Sequence, residues 1–173
     1  MGPGRLTYRP VTYETVDDLH VLVQHDHVRR YLLDGASFPR EWTVDRVRDS
    51  LDLFERRGVG LWLAHDRTTG DLVGFCGFLE ILSDPQLVYA MFERFTGRGY
   101  GTEMARASIA EARRHPGFRT IVASVDEVNV ASVRVLEKLA FRRVATHPGR
   151  FGDTFVMQLE GTEPKEQTAS DCR

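Results

Sequence analysis

The sequence predicts a mixed α/β domain, one sheet with helices on both of its faces. Two observations lead there. The hydrophobic period switches repeatedly between two and 3.6 along the first 160 residues, with no internal repeat and no long linker. The strongest single segment, residues 87–113, reads as a strand, a glycine-rich loop and a helix in succession.

Each element has a local reason. Leu6 to Val11 reads as a short strand. Thr12 offers a cap for a helix with Val16, Leu19, Leu22 and Val23 on one side, continuing toward Tyr31 and Leu32. Residues 35–39 form a loop. Thr43 can cap a second helix, in which Val44, Val47, Leu51 and Phe54 follow a 3/4 spacing and which Gly58 closes. Gly60 to His65 and Leu72 to Ile81 are strands around a tight turn at 67–71, hence a hairpin. Ser83, Asp84 and Pro85 turn the chain into a third long strand, Leu87 to Phe92. The glycine-rich loop then leads into a helix carrying Met104, Ala105, Ser108, Ile109 and Ala112, ended by Pro116 and Gly117. Thr120 to Val125 is a strand, and Asn129 to Ala140 a helix begun by an Asn cap. Strands near Arg142 to Thr146 and Thr154 to Leu159 complete the order β-α-α-β-β-β-α-β-α-β-β. Residues 1–160 are expected to form the domain. Residues 161–173 hold almost nothing to bury and are expected to be a disordered polar tail.

Composition narrows the function. The chain has 173 residues, 28% charged and 42% hydrophobic, enough for a core without staples. No stretch approaches the ~18 uninterrupted apolar residues of a membrane span, and no basic region with a following apolar stretch opens the chain. A cytoplasmic protein is expected. A formal charge of −2 gives no general electrostatic case for nucleic acid. The basic residues are 21 Arg and 2 Lys, a bias ascribed to genome composition. Cys76 in an apolar run and Cys172 in a polar segment suggest neither a disulfide framework nor a metal cluster. His25 and His27, two apart, face different directions on a helix, which argues against a shared ion. Tyr31, Phe38, Trp62 and Tyr89 could line an acceptor pocket, but aromatic residues are more often core, and none is assigned a site role.

The chemistry sits in the loop. Glycines at 97, 99 and 101 let the backbone approach a ligand and leave several N–H groups pointing one way. These continue into the first turn of a helix, whose dipole favours an anion, and Arg94 and Arg98 add charge nearby. A phosphate or diphosphate fits. The dinucleotide fingerprint Gly-x-Gly-x-x-Gly is missed by one residue, and a nucleotide-triphosphatase loop would need Gly-Lys-Ser/Thr, so a merely flexible turn stays open on this segment alone. Downstream, Asn129, Ser132 and Leu136 recur at three and four residues and share one helix face. Simple N-capping also explains the first two.

Phe95 to Glu103, followed by Asn129, Ser132 and Glu137 to Phe141, resembles the GNAT superfamily of acetyl-CoA-dependent N-acetyltransferases, most of all its RimJ/RimL-like branch. The resemblance extends to Leu6–Pro10, Asp26–Leu32, Gly74–Phe78 and the closing segment Gly152–Leu159. It implies a GNAT-type mixed central sheet flanked by helices, acetyl-CoA as cosubstrate without a metal, and an amine acceptor, either a protein N-terminus or a small molecule. Dimers are common in the family, so a homodimer is an expectation. By that pattern Met91 and Phe92 offer backbone groups to pantetheine at a splay between strands, the amides of Gly97, Arg98, Gly99, Tyr100, Gly101 and Thr102 hold the diphosphate, Asn129 contacts the cofactor arm, and Ser132 points its hydroxyl at the thioester sulfur. The chain departs from the pattern at Thr96, where Gln or Arg is usual, at Ala140, where Gly is usual, and at Leu136, where many members carry a Tyr general acid.

Acetyl transfer needs a neutral amine, a polarised carbonyl and a stabilised thiolate. A strand N–H at Met91 can polarise the carbonyl. Ser132 can donate to the sulfur, and a thiol of pKa near ~8.5 needs only modest help at neutral pH. No carboxylate lies within Leu87 to Phe92. Glu80 is therefore the first choice of base, directly or through water, with Glu127 and Asp126 second, while Asp153 positions the closing strand. Acceptor choice is expected to lie in the 31–41 loop and the 145–153 segment, the acidic residues being dispersed along the chain. The rival reading is a non-catalytic acyl-CoA binding or sensing module of the same fold.

Overall fold

The computed structural model describes residues 4–81 and 84–161. Five helices and seven strands follow in chain order: β1 (Leu6–Pro10), α1 (Val16–Gln24), α2 (Asp26–Leu32), α3 (Arg40–Arg57), β2 (Leu61–Asp66), β3 (Leu72–Ile81), β4 (Asp84–Met91), α4 (Tyr100–Ala112), β5 (Thr120–Asp126), α5 (Val130–Lys138), β6 (Arg142–Gly149) and β7 (Gly152–Glu160). Short 3-10 turns precede α1 and α4. The expected α/β class and strand order hold, and the helices match except that three, not two, lie between β1 and β2. Part of the turn expected at Ser83, and the tail beyond Gly161, lie outside the described residues.

One seven-stranded sheet runs in the order β1-β2-β3-β4-β5-β7-β6. Every pairing is antiparallel except β4 with β5, which run parallel and pair only at Gln86 opposite Val122. Below that single bridge the sheet splits. Alternation along β3 shows how the helices share its faces. Phe75 and Leu79 face α1, whereas Phe78 packs on Phe118 at 5.3 Å and Cys76 meets Ser108 of α4. Helices α1–α3 thus cover one face and α4 the other, where α5 packs beside it. No helix among the described residues is long and apolar enough to cross a membrane.

Two helix boundaries differ from the sequence expectation. The single helix expected from Thr12 to Leu32 breaks at His25, which is extended (φ −67°, ψ 131°). Its Nδ1 accepts from the His27 N–H at 3.3 Å and so caps α2. The break turns α2 toward β4. The second helix starts three residues before Thr43, directly after Pro39, whose fixed φ sets the entry. Thr43 lies fully buried inside α3, and its hydroxyl meets His20 Nδ1 at 2.8 Å, tying α1 to α3. Gly58 ends α3 as expected, left-handed at φ 75°, its N–H donating to Phe54 O.

Candidate active site

The split between β4 and β5 holds a cleft of about 770 Å³, lined by β4, the loop after it, the first turns of α4 and α5, and α2. Its polar character follows from strand geometry. Phe92 N–H donates to Val73 O, so in the antiparallel register even-numbered residues of β4 turn their N–H and C=O toward β3. Beyond the bridge at Gln86, Tyr89 and Met91 therefore direct theirs into the split. Met91 is thus placed as expected. Phe92 is not: its N–H is bound to Val73, its carbonyl accepts from Phe95 N, and its buried ring meets His25 edge-on at 5.1 Å. The backbone twists away at the strand end, and Phe92 is absent from the cleft lining.

The loop presents a run of backbone amides. Among the described residues, no backbone partner takes the N–H of Gly97, Arg98, Gly99, Tyr100, Gly101 or Thr102; the first helical bond is Glu103 N to Gly99 O at 3.1 Å. Gly97 (φ 71°) and Gly99 (φ 81°) are left-handed, which curls successive amides into one concavity at the positive end of a 13-residue helix. This cradle fits the diphosphate of a coenzyme. Arg94 stacks on Phe92 and Phe95, 4.7 Å from each ring centroid, at its rim.

Arg5, just before β1, braces the cradle from behind. Its Nη1 donates to Arg98 O at 2.9 Å, its Nε to Glu103 Oε2 at 3.1 Å, and its guanidinium lies 4.3 Å over the Tyr100 ring. A trans peptide carries C=O and N–H on opposite sides. Fixing the Arg98 carbonyl toward Arg5 therefore turns the Gly99 N–H the other way, into the concavity. Replacing Arg5 with Ala removes a charge-assisted bond of about 1.5–3 kcal/mol. We expect acetyl-CoA affinity to fall about tenfold by calorimetry, and S-acetylpantetheine, which lacks the diphosphate, to bind unchanged.

At the other side of the cleft, Asn129 caps α5: its Oδ1 accepts from Ser132 N at 3.2 Å, leaving its amide NH2 for a ligand. Ser132 Oγ has no partner among the described residues. Leu136, where the family usually has Tyr, is buried. The phenol missing there is present on β4 instead: Tyr89 OH donates to Ser132 O at 3.3 Å, and burial pushes its pKa up to about 12, so it stays protonated. The sequence assigns Tyr89 no site role, because a strand residue gives no local sign that it faces a split sheet. Tyr31 and His27 of α2 also line the cleft, and burial holds His27 below the usual imidazole pKa, neutral at pH 7.

The expected base candidates scatter. Asp126 lines the cleft and accepts from Thr154 Oγ1 at 2.6 Å. Glu127 is exposed and outside the lining. Asp153 holds the closing strand through its carbonyl, which accepts from Glu127 N, and not through its carboxylate. Glu80 lies outside the cleft, in an adjoining cavity, paired with Arg56 at 2.8 Å. That hydrogen bond holds the Glu80 carboxyl below the usual carboxylate range, which makes it a weaker proton acceptor and a better anchor for a cation.

A mixed sheet split beside a strand with inward amides, ending in a cradle of unpaired N–H groups, defines an α/β domain with room for an extended ligand. Residues 5–142 match the family model of the acetyltransferase (GNAT) domain, and the chain belongs to that family. It is 37% identical over 104 residues to the uncharacterized protein YkkB of Bacillus subtilis (strain 168), and the match spans about 58% of the length of each chain. Its fold is similar to that of yncA, a putative acetyltransferase from Salmonella typhimurium with its cofactor acetyl-CoA (TM-score 0.76, 20% identity, 96% of this chain and 100% of that one). It is also similar to the ribosomal-protein-S5-alanine acetyltransferase from Vibrio fischeri (TM-score 0.75, 12% identity, 94% and 97%). At these identities the likeness shows the fold.

Proposed function

We propose that this chain is an N-acetyltransferase that moves an acetyl group from acetyl-CoA to a primary amine in a ternary complex, within the RimJ/RimL-like branch that its opening, loop and closing segments resemble, and that it works in the cytoplasm. The observation that carries this reading is the unbroken run of unpaired amides from Gly97 to Thr102 at the mouth of a split sheet. Gly97 to Thr102 would hold the diphosphate, Met91 and Asn129 the pantetheine arm. Bound there, acetyl-CoA supplies an activated thioester, whose carbonyl carbon forms the new C–N bond as the C–S bond breaks.

The chain's own groups have three tasks. An inward N–H of β4, from Met91, polarises the carbonyl. Ser132 and Tyr89 give the departing sulfur its hydrogen bond and proton, standing in for the phenol absent at Leu136. His27, neutral and within the cleft, accepts the proton lost by the amine. His27→Gln is expected to lower kcat at pH 7 about tenfold or more at unchanged acetyl-CoA affinity. Because the working imidazole is the unprotonated form, wild-type turnover should fall as pH drops through a value below 6.5, and the variant should lose that limb.

Titration with acetyl-CoA and with CoA, followed by a thiol-release screen over amines and peptides, tests the reading. Tight binding with release for one acceptor class is the expected result. Binding without release from any amine would favour the acyl-CoA sensing module, and no binding would overturn both.

A further inference from the structure

A second cavity, of about 620 Å³, lies on the α1–α3 face of the sheet, within the roughly 300–1,000 Å³ that suits a small molecule. It shares Leu32, Ile81 and Val88 with the cleft, so the two volumes meet at one junction. Position along β4 orients that junction. The cradle follows the C-terminal end of β4, Met91 is the last residue of the strand, and Val88 lies three residues before it. The second cavity therefore opens on the far side of Met91 from the cradle, where a nucleophile can approach without crossing the coenzyme.

The cavity has two unlike walls. Leu19 and Val23 of α1 with Leu61 and Phe75 of the sheet make a buried apolar floor. Over it α3 presents Asp49 and Asp52, three residues apart and so on one side of the helix, with Glu80 across the junction. Arg46 pairs with Asp49 at 2.6 Å and Arg56 with Glu80 at 2.8 Å, while Asp52 makes no ion pair among the described residues. Three carboxylates against two guanidiniums leave one negative charge in excess. The acidic residues that look dispersed in the sequence are gathered here.

Resting on the acetyltransferase reading above, we infer that this cavity is the acceptor chamber and that it takes a small amphipathic amine, with an apolar or aromatic body and a cationic nitrogen. The floor gains from burying apolar area, at roughly 25 cal/mol per Å². The α3 wall, with its surplus carboxylate, favours a cation and repels an acid. A polyhydroxylated amine would leave hydroxyls unbonded against the floor.

The test uses the full chain and two amines, phenethylamine and glucosamine. With acetyl-CoA, phenethylamine should show a kcat/KM at least tenfold above glucosamine, and calorimetry on the CoA-saturated protein should detect phenethylamine alone. Asp52→Asn should raise the amine KM and its calorimetric Kd about tenfold and leave acetyl-CoA affinity unchanged. Val23→Trp, which fills the floor, should do the same, and Asp52→Asn, at an exposed position, decides the matter if that variant fails to fold. Equal or better use of glucosamine, a short peptide preferred over phenethylamine, or an unchanged amine KM in Asp52→Asn would overturn the chamber while acetyl-CoA binding stands. Failure of acetyl-CoA to bind would overturn the acetyltransferase reading itself, and the chamber with it.

Discussion

Gly99→Val is expected to remove acetyl-CoA binding, with an affinity loss of about 100-fold or more by calorimetry. Gly99 sits at φ 81°, ψ 2°, a left-handed conformation that costs an L-residue about 1–2 kcal/mol and a β-branched one more. Space is not the obstacle, since an added Cβ would meet only Arg5 Nη2 at 3.5 Å. To escape the strain the peptide must turn. The Gly99 N–H would then leave the concavity, and the Glu103 N to Gly99 O bond that starts α4 would break. Losing one amide to a charged diphosphate adds about 1.5–3 kcal/mol, so the sum reaches two decades. Two controls separate binding from stability. Gly70→Ala carries similar strain (φ 76°) in the β2–β3 turn, and should lower the melting temperature with no change in acetyl-CoA affinity. Gly101→Ala has no positive φ, and its Cβ meets the flexible end of Met91 at 3.1 Å and Tyr89 and Val135 at an ordinary 3.8 Å, so its effect should be small.

The second large effect is expected at the sulfur. Ser132→Ala combined with Tyr89→Phe should lower kcat by about 10²–10⁴, the range of general acid catalysis, with acetyl-CoA affinity kept within about twofold. Each single variant should lose less, because the remaining hydroxyl can still reach the departing sulfur. The groups stand together: Ser132 Oγ has no partner among the described residues, and Tyr89 OH rests on the Ser132 carbonyl at 3.3 Å, a weak bond that is easily exchanged for a better acceptor. With its pKa pushed up to about 12, Tyr89 remains a donor across the neutral range. Full kcat in the double variant, measured by thiol release at saturating amine, would remove both residues from the mechanism.

The sequence by itself determined what is local. The unpaired amides at 97–102, the left-handed glycines and the Asn129 cap on Ser132 are all settled within about four residues, the range over which a turn or helix end satisfies its own hydrogen bonds. The strand and helix order was legible for the same reason, since period two and period 3.6 are properties of short windows. Tertiary structure decided whatever depends on distant partners. His25 breaks the first helix so that α2 can face β4. The register with β3 takes Phe92 out of the cleft and turns Met91 into it. Tyr89 reaches Ser132 across 43 residues, Arg5 reaches the Arg98 carbonyl across 93, and Arg56 pairs with Glu80 across 24. Such pairings leave no trace in local periodicity, because each follows from which strands sit side by side and where the sheet parts. The run of unpaired amides was therefore readable from the chain, and the gathering of carboxylates around the second cavity was not.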